Sequence, residues 1–249
     1  MNPSEMLKNK AMSPYGMALN DYFKGKKDAT IKVRRDDGFI TDMPAGHFFR
    51  NEDEFSTIEK IAVELCQGKV LDVGAGSGTH SLYLQKKGLD VWAMDIDPEL
   101  VNIARQRGVR NSICADIFNY KGDEYGTILL MGHGIGITGT VEGFRKFLKL
   151  AYEMTHRKGI ILFDSLDVRV TEDPGNLSYH ENNKKNNRYI GEIRMQFEYN
   201  GVKGDIFSWL HLIPETLFME SGAAGWTCEI VHREPSGDYL ARLSKDNDH

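Results

Sequence analysis

The stretch KVLDVGAGSGTHSLYL, Lys69 to Leu84, constrains the fold more than any other part of the 249-residue chain. Lys69 to Val73 is a short, nearly continuous apolar run, the pattern of a strand buried on both faces. The glycines at 74, 76 and 78 then form a turn that needs backbone freedom, and THSLYLQKKG carries a helical pattern that Gly88 ends. Strand, glycine turn and helix in that order predict one unit of a parallel sheet.

The same rhythm continues on both sides. DEFSTIEKIAVELC places Phe55, Ile58, Ile61, Ala62 and Leu65 at helical spacing, with acids toward its start. Asp90 to Asp97 is a second strand, and Pro98 to Gly108 a helix with proline suited to its first turn and glycine to its end. NSICADIF is a third strand, Tyr125 to Gly136 carries a fourth, and a helix around Thr140 to Thr155 leads into the strand Gly159 to Leu166. After the helix PETLFMESGAAG, the segments WTCEIVHRE and DYLARLS read as a closing antiparallel pair. The expected fold is α/β: a doubly wound, seven-stranded, mainly parallel sheet with an antiparallel C-terminal pair. Ligands of such sheets bind at the carboxyl ends of the strands.

Two segments fall outside this core. Thr171 to Tyr189 is polar and rich in Asn and Lys, and is expected to be a mobile loop. GEIRMQFEY and DIFSWLHLI, separated by an Asn-Gly turn, predict a β-hairpin. Residues 171–213 are therefore read as an inserted loop and hairpin, within a domain of residues 53–249 that an N-terminal arm or lid of residues 1–52 precedes. The insertion is expected to form either a substrate cap together with that arm or a dimerisation edge, leaving the chain a monomer or a homodimer.

Bulk properties exclude several classes. No apolar run is long enough to span a bilayer, and MNPSEMLKNK lacks the pattern of a secretory signal, so a cytoplasmic location without a membrane partner is expected. Three scattered cysteines and the absence of an acidic cluster with ligand spacing predict neither disulfide nor metal. A net charge of −5 disfavours a nucleic-acid partner, although Lys32, Arg34 and Arg35 form a local basic patch.

The glycine turn alone fits any nucleotide-like ligand. Its spacing is GxGxG, and Thr79 stands where a dinucleotide fingerprint wants its third small residue. Asp72, two residues before the first glycine, is unwelcome beside a pyrophosphate and a good acceptor for an ammonium group. VLDVGAGSG, an acid at the end of the next strand and AD after the third resemble the class I S-adenosylmethionine-dependent methyltransferases over roughly Lys69 to Leu166. The resemblance implies S-adenosyl-L-methionine as cofactor and S-adenosyl-L-homocysteine as product. It implies that Gly74, Ala75, Gly76 and Gly78 approach the methionine portion, that Asp72 supports its amino-acid end, and that Asp95, with Ile96 beside it, takes both ribose hydroxyls. Asp116 is either the acid that accepts from the adenine amino group, with Ile117 against the ring, or a cap of the turn in CADIFNY. Asp97 reads as the cap of the helix that begins at Pro98.

Methyl transfer from a sulfonium needs alignment and exclusion of water, and a base only where the acceptor must lose a proton. LLMGHGIG occupies the fourth strand end, which the resemblance turns toward the methyl group; Met131 and Gly132 lend backbone there. His133 is its titratable side chain, either a general base or a histidine bonded to a loop carbonyl. The segment lacks the motifs of nucleic-acid amino-group, cytosine-carbon and arginine methyltransferases, which leaves O or N of a small molecule as the expected acceptor. Tyr15, His47 and Arg50 of the arm and Tyr179 and His180 of the insertion are candidate acceptor contacts. A non-catalytic cofactor-binding regulatory module is the alternative, and an NAD(P)-dependent oxidoreductase a further one that Asp72 and Thr79 disfavour.

Overall fold

The computed structural model describes residues 3–245. The chain runs from α1 (Pro3–Phe23) through the hairpin β1 (Thr30–Arg35) and β2 (Ile40–Pro44) into two 3-10 turns, Ala45–Phe49 and Glu52–Glu54. It continues with α2 (Thr57–Leu65), β3 (Lys69–Val73), α3 (Thr79–Lys86), β4 (Asp90–Asp95), α4 (Pro98–Gln106), β5 (Asn111–Cys114) and β6 (Tyr125–Leu130). After α5 (Val141–Met154) and β7 (Thr155–Leu166) come α6 (Pro174–Lys185), β8 (Glu192–Tyr199), β9 (Val202–Lys203) and β10 (Phe207–Leu210). The fold closes with α7 (Pro214–Ala223), β11 (Trp226–Arg233) and β12 (Asp238–Lys245).

The described residues form a seven-stranded sheet in the order β11-β12-β7-β6-β3-β4-β5. β3 to β7 are mutually parallel, and β12 runs antiparallel to both β7 and β11. Alternation along the central strands shows why both faces need a helical layer. Ile128 and Leu130 of β6 and Ile161 and Phe163 of β7 enter one buried cluster with Phe144 and Phe147 of α5. Leu129 and Leu162 point the other way, onto Ile58, Ala62 and Val63 of α2. An apolar run without alternation is thus a strand with no solvent face, as the sequence predicts.

The second sheet is where expectation and structure part. β8 pairs with β1 on one edge, and with β9 and β10 on the other, in the order β10-β8-β1-β2. Asn200 and Gly201 do form a tight turn with positive φ at both residues. The returning strand is only two residues long, because at Gly204 the backbone passes against α1, where an added Cβ would lie 2.4 Å from the Ala11 carbonyl. The inserted hairpin therefore lies in one sheet with the arm's own hairpin.

The expected loop at 171–189 is corrected too: residues 174–185 are the helix α6. Asp173 caps it by accepting from the Asn176 N–H at 2.8 Å, and Pro174 occupies its first turn. Its apolar content is too low to announce a helix, and two buried side chains anchor it. Tyr179 donates to Asp36 at 2.7 Å, and the fully buried Asn183 donates to the carbonyl of Glu192 at 2.7 Å. Two further boundaries shift: β5 ends at Cys114, before a 3-10 turn at Ile117–Asn119, and β6 ends at Leu130, before another at Gly134–Thr138. Among the described residues no helix is long and apolar enough to cross a membrane.

Candidate active site

β3 and β6 are neighbours, yet the chain proceeds from β3 outward through β4 and β5, and from β6 the other way to β7. Their carboxyl ends flank the switch point of the sheet, where the strand-end loops diverge and leave a crevice. On its β3 side, Gly74, Gly76 and Gly78 all take positive φ, at 72°, 55° and 82°. At Gly78 a Cβ would also meet Val109 at 2.7 Å, so this turn tolerates only glycine.

The loop is tied to the end of β4. Asp95 accepts from the Gly76 N–H at 2.9 Å through one carboxylate oxygen and from the Asp97 N–H at 3.0 Å through the other. Burial pushes its pKa up to about 6, although these backbone donors pull the other way. Asp72 is buried as well and accepts from the Ser81 hydroxyl at 2.6 Å; burial raises its pKa. Asp97 caps α4 through the Glu99 N–H at 2.8 Å, as expected. Asp116 is buried and caps the short turn that follows β5, accepting from the Phe118 N–H at 3.1 Å. Ile117 and Met131 are buried in the two cores, Ile96 and Ala75 are half-buried, and Gly132 is exposed. A Cβ placed at Gly74 or at Gly132 would meet nothing within 4 Å, so open space adjoins the backbone on both sides of the crevice. A buried carboxylate at a strand end, beside bare glycine backbone with room in front, fits a nucleoside whose sugar offers two hydroxyl donors.

The arm closes on this loop. The Phe48 carbonyl accepts from the hydroxyls of Ser77 and Thr79, the latter at 2.7 Å. Arg107 braces the same joint by donating to the Ser77 carbonyl at 2.8 Å and to the Thr79 hydroxyl at 3.0 Å. The residue that departs from the dinucleotide pattern thus latches the arm. Tyr15 of α1 stacks on Phe197 of β8, with ring centroids 5.0 Å from Phe48 and 5.5 Å from Phe197. Its hydroxyl lies 3.6 Å from where a Gly76 Cβ would be, and burial together with the carboxylates of Asp95 and Asp97 holds its pKa well above the usual phenol value. Tyr15 therefore sits at the Asp95 end of the crevice.

On the β6 side, His133 adopts a left-handed conformation, φ 56°, which turns its backbone N–H onto both oxygens of Asp164 at 3.0 Å. Its Nε2 lies 2.7 Å from Asp238 and 3.8 Å from Asp164. Burial lowers the pKa of this imidazole, but the hydrogen bond to Asp238 and the charges of Asp164 and Asp238 more than reverse that, so the pKa is raised. The bond from His133 in turn holds Asp238 down at about 2. The insertion reaches this spot: a Cβ at Gly136 would fall 2.0 Å from the indole nitrogen of Trp209, and the ring of His211 stands edge-on to His133, centroids 5.1 Å apart. Asp164, Trp209, His211 and Asp238 escape sequence reasoning, because they come from β7, from β10 and the residue just past it, and from β12, and nothing in their spacing links them to His133.

The other candidate contacts lie elsewhere. Arg50 grips Glu59 of α2 with two bonds, at 2.8 and 3.2 Å, and donates to the His47 carbonyl at 2.7 Å. Glu59 also receives His80 at 2.9 Å, so Arg50 ties the arm to the domain, while the His47 side chain is exposed. Tyr179 hydrogen-bonds Asp36 and the Arg194 N–H, the latter at 3.0 Å, and holds α6 on the second sheet, with His180 half-buried beside it. Among the described residues no group of three or more His, Cys, Asp or Glu could hold a metal ion.

Residues 70–159 match the family of methyltransferase domains. The chain is similar throughout to an S-adenosylmethionine-dependent methyltransferase of Bacteroides fragilis solved in complex with S-adenosyl-L-homocysteine. The identity is 29%, covering 95% of this chain and 96% of that one, with a TM-score of 0.83. The chain carries a class I S-adenosylmethionine-dependent methyltransferase domain. Two curated relatives match more locally. A ubiquinone biosynthesis O-methyltransferase of Xanthomonas oryzae pv. oryzae is 41% identical over 54 residues, 22% of this chain and 23% of that protein. A 23S rRNA uracil C5-methyltransferase of Pyrococcus horikoshii is 33% identical over 82 residues, 32% of this chain and 20% of that protein. The chain thus spans under a quarter of the length of these curated relatives.

Proposed function

We propose that this methyltransferase moves the methyl group of S-adenosyl-L-methionine to an oxygen or nitrogen of a small-molecule acceptor. The observation that carries the reading is the His133–Asp238 pair at the end of β6, 2.7 Å apart and approached by Trp209 and His211 of the second sheet. A histidine oriented by a carboxylate, with its pKa raised by that hydrogen bond and the neighbouring carboxylate charges, suits removal of a proton from an acceptor.

When bound, the cofactor supplies an electrophilic methyl on its sulfonium. Asp95 takes the two ribose hydroxyls, and the backbone of Gly74, Ala75, Gly76 and Gly78 takes the methionine portion, with Asp72 supporting its charged end. Asp116 and Ile117 hold the adenine, Ile96 lies along the nucleoside, and Met131 and Gly132 line the methyl side. The arm and the second sheet exclude water from the crevice and limit the acceptor to something small. The net charge of −5 agrees with a metabolite rather than a polynucleotide.

Incubation with methyl-labelled cofactor and a cell extract tests the reading. Label is expected in the small-molecule fraction and lost in His133→Ala with cofactor affinity retained. Label confined to RNA, or no transfer at all, refutes it.

A further inference from the structure

The end of β10 carries a feature that acceptor methylation as such does not explain. Phe207 pairs with Met195 and Trp209 with Ile193 of β8, and the ladder continues past the strand as the His211 N–H donates to the Gly191 carbonyl at 2.8 Å. The two-residue period therefore places Phe207, Trp209 and His211 on one face. Along that face rings follow one another, Phe197 to Phe207 at 5.0 Å and Phe207 to Trp209 at 6.3 Å, ending at His211 beside His133. His211 is 7% exposed, and among the described residues its Nδ1 has no hydrogen-bond partner. Native proteins seldom leave a buried ring nitrogen unpaired unless something else supplies the partner.

Resting on the transfer reading above, we infer that Phe207, Trp209 and His211 form the acceptor wall, that the acceptor is a hydroxyl on a planar apolar ring, and that Nδ1–H of His211 donates to its oxygen. The aromatic row matches a flat apolar ring. Burial and the neighbouring His133 hold the pKa of His211 down at about 3, so it meets the acceptor uncharged. A neutral imidazole with its proton on Nδ1 needs a lone pair opposite, which a hydroxyl keeps while it ionises and a protonated amine lacks. The nearby carboxylates that would recruit a protonated amine, Asp164 and Asp238, already face His133. In the step itself the acceptor's proton passes to the ring nitrogen of His133 that does not face Asp238. An oxygen lone pair forms the new bond to the methyl carbon, and the electrons of the old carbon–sulfur bond leave on sulfur. His211 stabilises the negative oxygen throughout.

Nitrogen NMR of histidine-labelled protein loaded with S-adenosyl-L-homocysteine tests this with phenol and toluene, two probes of one shape that differ in the hydroxyl. His211 is expected to keep its proton on Nδ1 and to stay neutral from about pH 8 to pH 5. Phenol is expected to move its Nδ1 signal saturably, and toluene to leave it still. His211→Phe should weaken phenol binding about tenfold without changing affinity for S-adenosyl-L-homocysteine, and His211→Asn, which keeps a donor, should restore part of it. A proton on the other nitrogen, an equal response to toluene, or unchanged phenol affinity in His211→Phe overturns the assignment. Should the phenylalanine variant not fold, the wild-type spectra and His211→Asn decide. These readouts need no turnover: a response to phenol without label transfer to any metabolite would refute the transfer reading and keep the wall.

Discussion

Affinity for the cofactor product should depend on pH through one buried carboxyl. Among the described residues no lysine or arginine pairs with Asp95; its oxygens receive the backbone N–H groups of Gly76 and Asp97, and burial pushes its pKa up to about 6 in the unliganded protein. Ribose hydroxyls are donors and favour the ionised form, so binding lowers that pKa and releases a proton wherever the free protein still holds one. At pH 5, one unit below about 6, roughly one molecule in eleven is ionised, and affinity for S-adenosyl-L-homocysteine should be about tenfold, or ~1.4 kcal/mol, weaker than at pH 8. The sign for folding is opposite: a raised carboxyl pKa stabilises the unliganded fold below its unfolded value of 3.8, and that stability is lost as pH rises through about 6. Calorimetry at pH 5, 6 and 8, in two buffers of different ionisation heat, measures both the affinity and the released proton. In Asp95→Asn the dependence should vanish, leaving only the titration of the nucleoside itself. Equal affinity at all three pH values in the wild type, or the same slope in the asparagine variant, would refute the ribose assignment.

Two further outcomes follow from the same contacts. Arg50→Ala removes one partner of the buried Glu59, whose carboxyl burial would raise but which His80, Ser56 and Arg50 together hold at about 2. About 3 kcal/mol of stability should be lost in urea unfolding at neutral pH, and an unchanged midpoint would show that the arm is held otherwise. Asp238→Asn takes away the carboxylate charge that helps to raise the His133 pKa, so the acidic limb of the rate profile should move to lower pH; a limb that stays in place excludes His133 as the base.

The half of the candidate site proposed to hold the cofactor is legible in the sequence because it is local. The Gly74–Gly78 turn, Asp95 and Asp116 each stand at the end of their own strand, and a strand end can be read from a window of ten residues. Asp97 shows the same locality as a helix cap. The half proposed to hold the acceptor is not legible, because its parts meet only through pairing. His133 reaches Asp238 across 105 positions, and His211 comes beside it just past β10, a strand whose partner, β8, also holds the arm's β1. The helix α6 was missed for a related reason: Tyr179 and Asn183 anchor it by contacts with distant residues, while its own composition reads as loop.

By itself the sequence determined the doubly wound sheet and the glycine turn at which we propose the cofactor binds, since unbroken apolar strands and a glycine turn admit few other arrangements. Only the tertiary structure decided what stands across the crevice. There the arm and the insertion share one antiparallel sheet, and backbone hydrogen bonding between strands more than 150 residues apart, such as Lys32 and Glu198, leaves no local trace in either segment. That pairing, and the burial that follows it, brings Tyr15 to Asp95 and His211 to His133.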